Sequence, residues 1–114
     1  MSDADAVSVA DQVAEALGRG DLAAAESLAR RGVRLREREE PATSVGLAGA
    51  WADLAAVHRA QGRLAVALED YRRALGALEG VVGDEASSVV AVIQHAHAAL
   101  LADLGRDAEA AARG

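Results

Sequence analysis

An internal repeat is the feature of this sequence that most restricts its fold. The stretches 20–35, 62–78 and 105–114 align with one another and share two residue types at fixed places: Gly20, Gly62 and Gly105, followed by Ala25, Ala67 and Ala110. The repeat interval is therefore 42 and then 43 residues. A period of this length is typical of proteins built from stacked helix pairs, in which each pair buries its apolar face against the next.

The distribution of apolar residues and turn signals divides the chain into helices. Apolar side chains recur at helical spacing, and the spacing is interrupted at 18–20, at Pro41 and at Gly62. The predicted helices cover about 4–17, 21–38, 44–61 and 64–80, followed by a fifth that ends at Leu104 and a sixth that begins at 105. Ser44 is a candidate N-cap of the third helix. No stretch alternates with period two, so we expect no sheet. The sequence predicts an all-α fold of about six helices in one domain, 1–114, with units of about 4–40, 44–80 and 86–114.

The composition limits how such helices are held together. Large apolar side chains are scarce, with no Phe, one Trp and one Tyr, so that close packing of small residues must supply most of the stability. The absence of Cys excludes disulfides and thiolate metal sites. A net charge of −6 disfavours a binder of duplex nucleic acid. The N-terminus is acidic, and the sequence suggests no apolar run of membrane-spanning length, so we expect a cytoplasmic protein.

The central unit carries a recognisable motif. A Trp, a Leu-Ala pair, a turn Gly, an Ala, an aromatic residue and a final Ala follow one another at Trp51, Leu54, Ala55, Gly62, Ala67, Tyr71 and Ala74. This pattern resembles the tetratricopeptide repeat, and the period near 42 resembles its kinesin-light-chain variety. His58 departs from the pattern, because the family has an aromatic residue at that position.

The resemblance implies a short right-handed solenoid that binds other proteins. Small residues, such as Ala25 and Gly32 in the first unit, would mark helix crossings, while Trp51 and Tyr71 would fill the gaps between units. The first helix of each pair would line a concave groove at positions that include Ala10 and Gly49. Such a groove of small and apolar residues suits a helix laid into it. The alternative is that the alanines reflect coding bias and helix propensity.

The resemblance therefore implies a non-enzymatic interaction module, an adaptor or scaffold. Arg59 and His95 would be the polar groups that give specificity. The predicted partner-binding residues are Ala52, Ala56, Arg59, His95, Ala99 and Asp103. A purely structural subunit of a larger complex would need the same groove, and the sequence does not separate these two functions.

The fifth predicted helix indicates how the chain associates. Its apolar residues point in nearly every direction, and the sixth helix is too short to cover them. We expect a homodimer that covers this helix. The alternative is that the chain is part of a longer repeat array.

The remaining charged residues offer weaker candidates. A basic ridge on the second helix consists of Arg30, Arg31, Arg34 and Arg38, and it predicts either a contact with nucleic acid or an acidic partner, or a solvated face offset by nearby glutamates. His95 and His97 are two residues apart and point away from each other on a helix, so they cannot share a metal ion. No Ser or Thr has a recognisable base, and no phosphate-binding loop is present. We therefore expect no catalysis, no metal and no cofactor.

Overall fold

The structure, a computed structural model, describes residues 3–113 and the side chains of 9–109 and 111–113. Across residues 3–113 it contains helices and no strand, which confirms the predicted all-α class. The five helices are α1 (Asp3–Gly18), α2 (Leu22–Glu39), α3 (Val45–Ala60), α4 (Leu64–Ala77) and α5 (Asp84–Arg113). Ser44 caps α3 as predicted, because its side chain accepts a hydrogen bond from the backbone N–H of Leu47.

Helix α3 is the centre of the fold. Each helix packs against the next one along the chain, and α3 also contacts both α1 and α5. Val89 of α5 lies beside Val45 of α3 around one cavity, and Asp103 pairs with Arg59, 44 residues earlier. These two contacts show that α5 runs in the same direction as α3. The result is an elongated molecule of 50 × 32 × 19 Å.

The α1–α2 and α3–α4 turns are built in the same way. Each contains a glycine with positive φ, +75° at Gly20 and +77° at Gly62. In each turn the residue after the glycine donates its backbone N–H to the carbonyl five residues earlier at 2.9 Å: Asp21 to Ala16, and Arg63 to His58. Ala16 therefore occupies the position of His58, and the two helix hairpins are equivalent at an offset of 42 residues.

Small residues lie at the helix crossings, as the sequence predicts. Ala25 and Ala67, which are equivalent, are both fully buried, as is Ala74. Gly32 is also buried, and a Cβ atom added there would lie 3.4 Å from Cγ1 of Val9. Only small side chains allow the backbones of two helices to approach in this way.

The two aromatic residues of the motif lie on neighbouring helices, Trp51 on α3 and Tyr71 on α4. Tyr71 is buried, and its ring lies 6.5 Å from that of His97 in α5. Trp51 is half-buried, and the guanidinium of Arg73 lies over its ring at 5.0 Å. Tyr71 thus contacts the following unit, as expected, whereas the contact of Trp51 with Arg73 lies within the second unit.

The predicted turn at Gly105 and the separate sixth helix are wrong. Helix α5 continues through Gly105 to Arg113, so the described chain has five helices and not six. Residues 107–113 are mostly Ala and Glu, which favour helix, and one glycine inside a helix costs only about 1 kcal/mol. That cost is smaller than that of starting a new helix with no partner to pack against.

Helix α5 is longer than predicted, whereas its apolar character was expected. It spans 30 residues, and its apolar window has a mean hydropathy of 1.3, which is enough by length and composition to cross a membrane. The core helices of soluble proteins pass the same test. Little of this window is buried within the described structure: Val92 is 69% exposed and Leu101 48%. Apolar side chains on more than one side of α5 are thus left uncovered by the other described helices.

Candidate functional site

A cavity of about 200 Å³ lies between the first three helices and the beginning of α5. Its walls are mainly small and apolar, with Val9 and Val13 from α1 and Val89 from α5. Ala10 and Gly49, two positions predicted to face the groove, both line it. We call this space the α1–α3 cavity. Its volume is sufficient for one side chain or a similar small group.

Two glycines of α3 make room for the cavity in different ways. A Cβ atom added to Gly49 would have no heavy atom within 4 Å, so this glycine leaves the cavity open. A Cβ atom added to Gly46 would collide with the side chains of Arg36 and Glu40. Gly46 therefore allows the Arg36–Glu40 ion pair to lie against α3.

Asp53 places a carboxyl group in the wall of this apolar cavity. Its side chain is half-buried, and burial raises its pKa from 3.8 to about 6. It makes no hydrogen bond or ion pair with the part of the chain that the structure describes. Arg36, the other charged residue that lines the cavity, is already paired with Glu40. The cavity therefore has one unpaired polar group.

Asp53 was not among the predicted site residues, although the sequence contains a signal for its position on α3. Asp53 is the only charged residue of the run 45–57, and it lies four residues after Gly49 and seven after Gly46. These intervals place all three on one face of a helix. The equivalent residue of the first hairpin is Asp11, which is exposed.

The structure brings together two of the six predicted partner-binding residues. Arg59 donates a hydrogen bond to Oδ2 of Asp103 at 2.6 Å, and Asp103 also accepts one from Arg106 at 2.8 Å. Arg59 is therefore paired within the chain, and its role in binding a partner stays a prediction. The pair joins α3 to α5.

The other predicted binding residues lie away from the cavity. His95 is exposed on α5, and Ala99 is half-buried on the same helix. Ala52 and Ala56 are half-buried on α3. None of the six predicted residues lines the α1–α3 cavity. The lining of the α1–α3 cavity and the predicted binding residues are thus separate sets.

A buried polar cluster surrounds His58, the residue that departs from the tetratricopeptide pattern. His58 is 1% exposed, and its Nδ1 lies 2.5 Å from Oδ2 of Asp70 in α4. Its Nε2 faces Oε2 of Glu26 in α2 at 3.8 Å. Glu26 also accepts hydrogen bonds from Gln61 and Arg30, both at 2.9 Å, and these lower its pKa to about 2, with the Gln61 bond the largest cause. The cluster connects α2, α3 and α4, and we interpret it as structural.

In the predicted basic ridge on α2, one arginine forms an ion pair and three do not within the described part of the chain. Arg30 is held by Glu26 at 2.9 Å. The remaining three are exposed at intervals of three and four residues and surround Leu35: Arg31, Arg34 and Arg38. None of these three forms an ion pair within the described part of the chain. They lie on the face of α2 that is directed away from the α1–α3 cavity.

No group of three or more His, Asp or Glu side chains is placed to hold a metal ion among the residues that the structure describes. His97 contacts Tyr71 and not His95. Comparisons of the chain with protein-family models, with curated proteins and with solved structures return no match.

Proposed function

We propose that this chain is a non-enzymatic protein-interaction module of the tetratricopeptide type, which binds a helical or peptide segment in the groove between α1, α3 and α5. The observation that carries the proposal is the equivalence of the two hairpins, whose turns share their glycine conformation and hydrogen bonds at an offset of 42 residues. The parallel course of α3 and α5 supports the same arrangement, because stacked repeats place their first helices side by side.

The α1–α3 cavity supports binding within this groove. A preformed space with mainly apolar walls and one polar group is typical of a ligand site. Since the described residues hold no metal cluster and the walls carry no nucleophile paired with a base, the cavity suits binding and not catalysis.

Selection of helical peptides from a display library against the immobilised chain tests this function. Two variants obstruct the groove: Gly49→Leu fills the cavity, and Ala56→Arg places a long cation farther along α3. We expect each to weaken the selected peptides at least tenfold without loss of helicity, since Gly49 has space for a side chain. Arg72→Leu, on an exposed part of α4, is the control. Peptides that bind both groove variants as well as the parent chain would refute the groove assignment.

We also propose that α5 mediates a homodimer. Whereas α3 contacts four other helices, α5 contacts only α3 and α4 among the described helices, and its exposed surface includes Ala91, Val92, Ala98 and Leu101 together with Gln94 and His95. Small residues along a helix allow a second helix to approach closely, and apolar area covered in this way stabilises association.

Molar mass by light scattering over a wide concentration range tests the dimer. We expect a dimer for the parent chain and a monomer for Leu101→Glu, which places a charge on the uncovered face. A monomeric parent chain at all concentrations would contradict this proposal. Val82→Glu, at a side chain that is 90% exposed in the loop before α5, is the control.

A second candidate function uses the outer face of α2. Arg31, Arg34 and Arg38 are exposed and available for an acidic partner or for nucleic acid. Salt-dependent binding of an RNA or DNA oligonucleotide that the triple Arg→Gln variant loses would support it. The net charge of −6 opposes it.

A further inference from the structure

The α1–α3 cavity carries a further inference, which rests on the proposed function and concerns the chemistry of the bound segment. We propose that the partner segment inserts a lysine or arginine side chain into this cavity, with its methylene stem against the valines and its cationic group on the carboxylate of Asp53. The occupant is thus a basic residue of another polypeptide.

The first argument is the mismatch between Asp53 and its surroundings. A half-buried carboxylate without a hydrogen bond or ion pair is unfavourable, because an apolar environment does not replace the water it loses. A cation placed beside it would remove this cost. The nearest cationic side chain in the cavity wall, Arg36, is held by Glu40 and does not serve this purpose.

The second argument is the shape and lining of the cavity. Lysine and arginine have an apolar stem that ends in a charged head, and a volume of about 200 Å³ with mainly apolar walls and one acceptor matches that division. A neutral apolar side chain would leave Asp53 buried and unpaired. An acidic side chain would meet a like charge.

The third argument is access. Ala10 is exposed, and Asp53 and Val89 are half-exposed, so that the cavity opens to the surface between α1 and α5. A segment that lies in the groove would pass over this opening. A single side chain directed from it would reach the carboxylate.

The burial of Asp53 also makes the proposed contact sensitive to pH. Because the pKa of Asp53 is raised to about 6, its carboxyl group is ionised at pH 7.5 and largely protonated at pH 5. The other charged side chain that lines the cavity is Arg36, which Glu40 pairs. Tyr71 of α4 also interacts with Asp53, but burial, and the carboxylate of Asp53 to a smaller extent, raise the pKa of Tyr71, so that it is neutral at both pH values. A cation should therefore bind more tightly at pH 7.5 than at pH 5.

The test uses n-butylammonium, which reproduces the stem and head of lysine, and n-butanol, its neutral counterpart. We expect saturable changes in the NMR signals of the Val13, Val45 and Val89 methyl groups with n-butylammonium at pH 7.5. Asp53→Asn should weaken this binding at least tenfold. Asp11→Asn, which removes the equivalent carboxylate of the first hairpin, should change it by less than twofold.

Equal binding of n-butanol and n-butylammonium, or an unchanged affinity in Asp53→Asn, would overturn the proposal. A dimer of the parent chain that Asp53→Asn dissociates would also overturn it, because an arginine of a second copy would then be the occupant. The amine probe does not depend on peptide binding. If it fails while selected peptides still respond to Gly49→Leu, the groove function stands and only the basic side chain is refuted.

Discussion

The two helix hairpins have the same backbone but fill the same internal position with different chemistry. Ala16 and Leu28 of the first hairpin are apolar, whereas the equivalent residues of the second are His58 and Asp70, a buried hydrogen-bonded pair. The turns and the crossing residues are alike in both. Turn glycines and small residues at the helix crossings therefore set the geometry of a hairpin. The interior position between its helices can be occupied by either apolar or polar side chains.

The largest expected effect comes from removing one partner of the buried His58–Asp70 pair. Asp70→Ala leaves His58 buried with no hydrogen bond at Nδ1, and we expect a loss of about 3 kcal/mol in the free energy of unfolding. The double variant His58→Ala, Asp70→Leu installs the residues of the first hairpin and should regain most of that loss. Urea unfolding of the three proteins measures both changes. A double variant less stable than Asp70→Ala would show that the second hairpin requires its polar pair.

The next effect concerns the shared turn. Gly20→Ala and Gly62→Ala each force an alanine into a positive-φ conformation, and each should lower the free energy of unfolding by about 1–2 kcal/mol. Because the turns are equivalent, the two losses should agree within about 0.5 kcal/mol. Gly49→Ala is the control, since this glycine lies inside α3 and has open space beside it, so the substitution should stabilise the helix. Thermal unfolding that separates the two turn variants widely would contradict the equivalence.

The smallest effect distinguishes the two equivalent carboxylates. The pKa of Asp53 is raised to about 6 from 3.8, so ionisation opposes folding: stability is highest below pH 3.8 and is lost as the pH rises through 6. Asp53→Asn should therefore raise the free energy of unfolding by about 1 kcal/mol at pH 8, a figure reduced for the partial exposure of the side chain, and by almost nothing at pH 3.5.

Asp11→Asn should leave stability unchanged at both pH values, because Asp11 is exposed. Denaturant unfolding of the parent chain and both variants at pH 8 and 3.5 makes the comparison. A stabilisation by Asp53→Asn that is equal at the two pH values would show that burial of the ionised form is not its cause.

The hairpins could be predicted from the sequence because their signals are local. The spacing of apolar residues located the first four helices, and Gly20 and Gly62 located the turns. Gly105 carries the same residue type, yet no turn forms there. What a glycine does depends on whether a following helix has a surface to pack on, and the sequence does not contain that information directly.

The site was harder to predict than the fold, for a physical reason. Helical periodicity shows which residues share a face, but it does not show which residue of another helix lies opposite. Arg59 and Asp103 were both predicted to face the groove, but periodicity gave no sign that they pair with each other across 44 residues. Asp53 was missed because a single carboxylate gains its significance only from the cavity around it.

The contacts of this fold are between helices that are close in chain order, and this has a kinetic consequence. Low sequence separation between contacting residues favours rapid folding. Helices that pack mainly on their chain neighbours are expected to open first at the two ends of the molecule. Backbone amides of α3 and α4 should therefore exchange with solvent most slowly. Those near the end of α5, where the side chains of residues 105–109 and 111–113 are exposed, should exchange first, so that hydrogen exchange would rank the helices by the free energy of their opening.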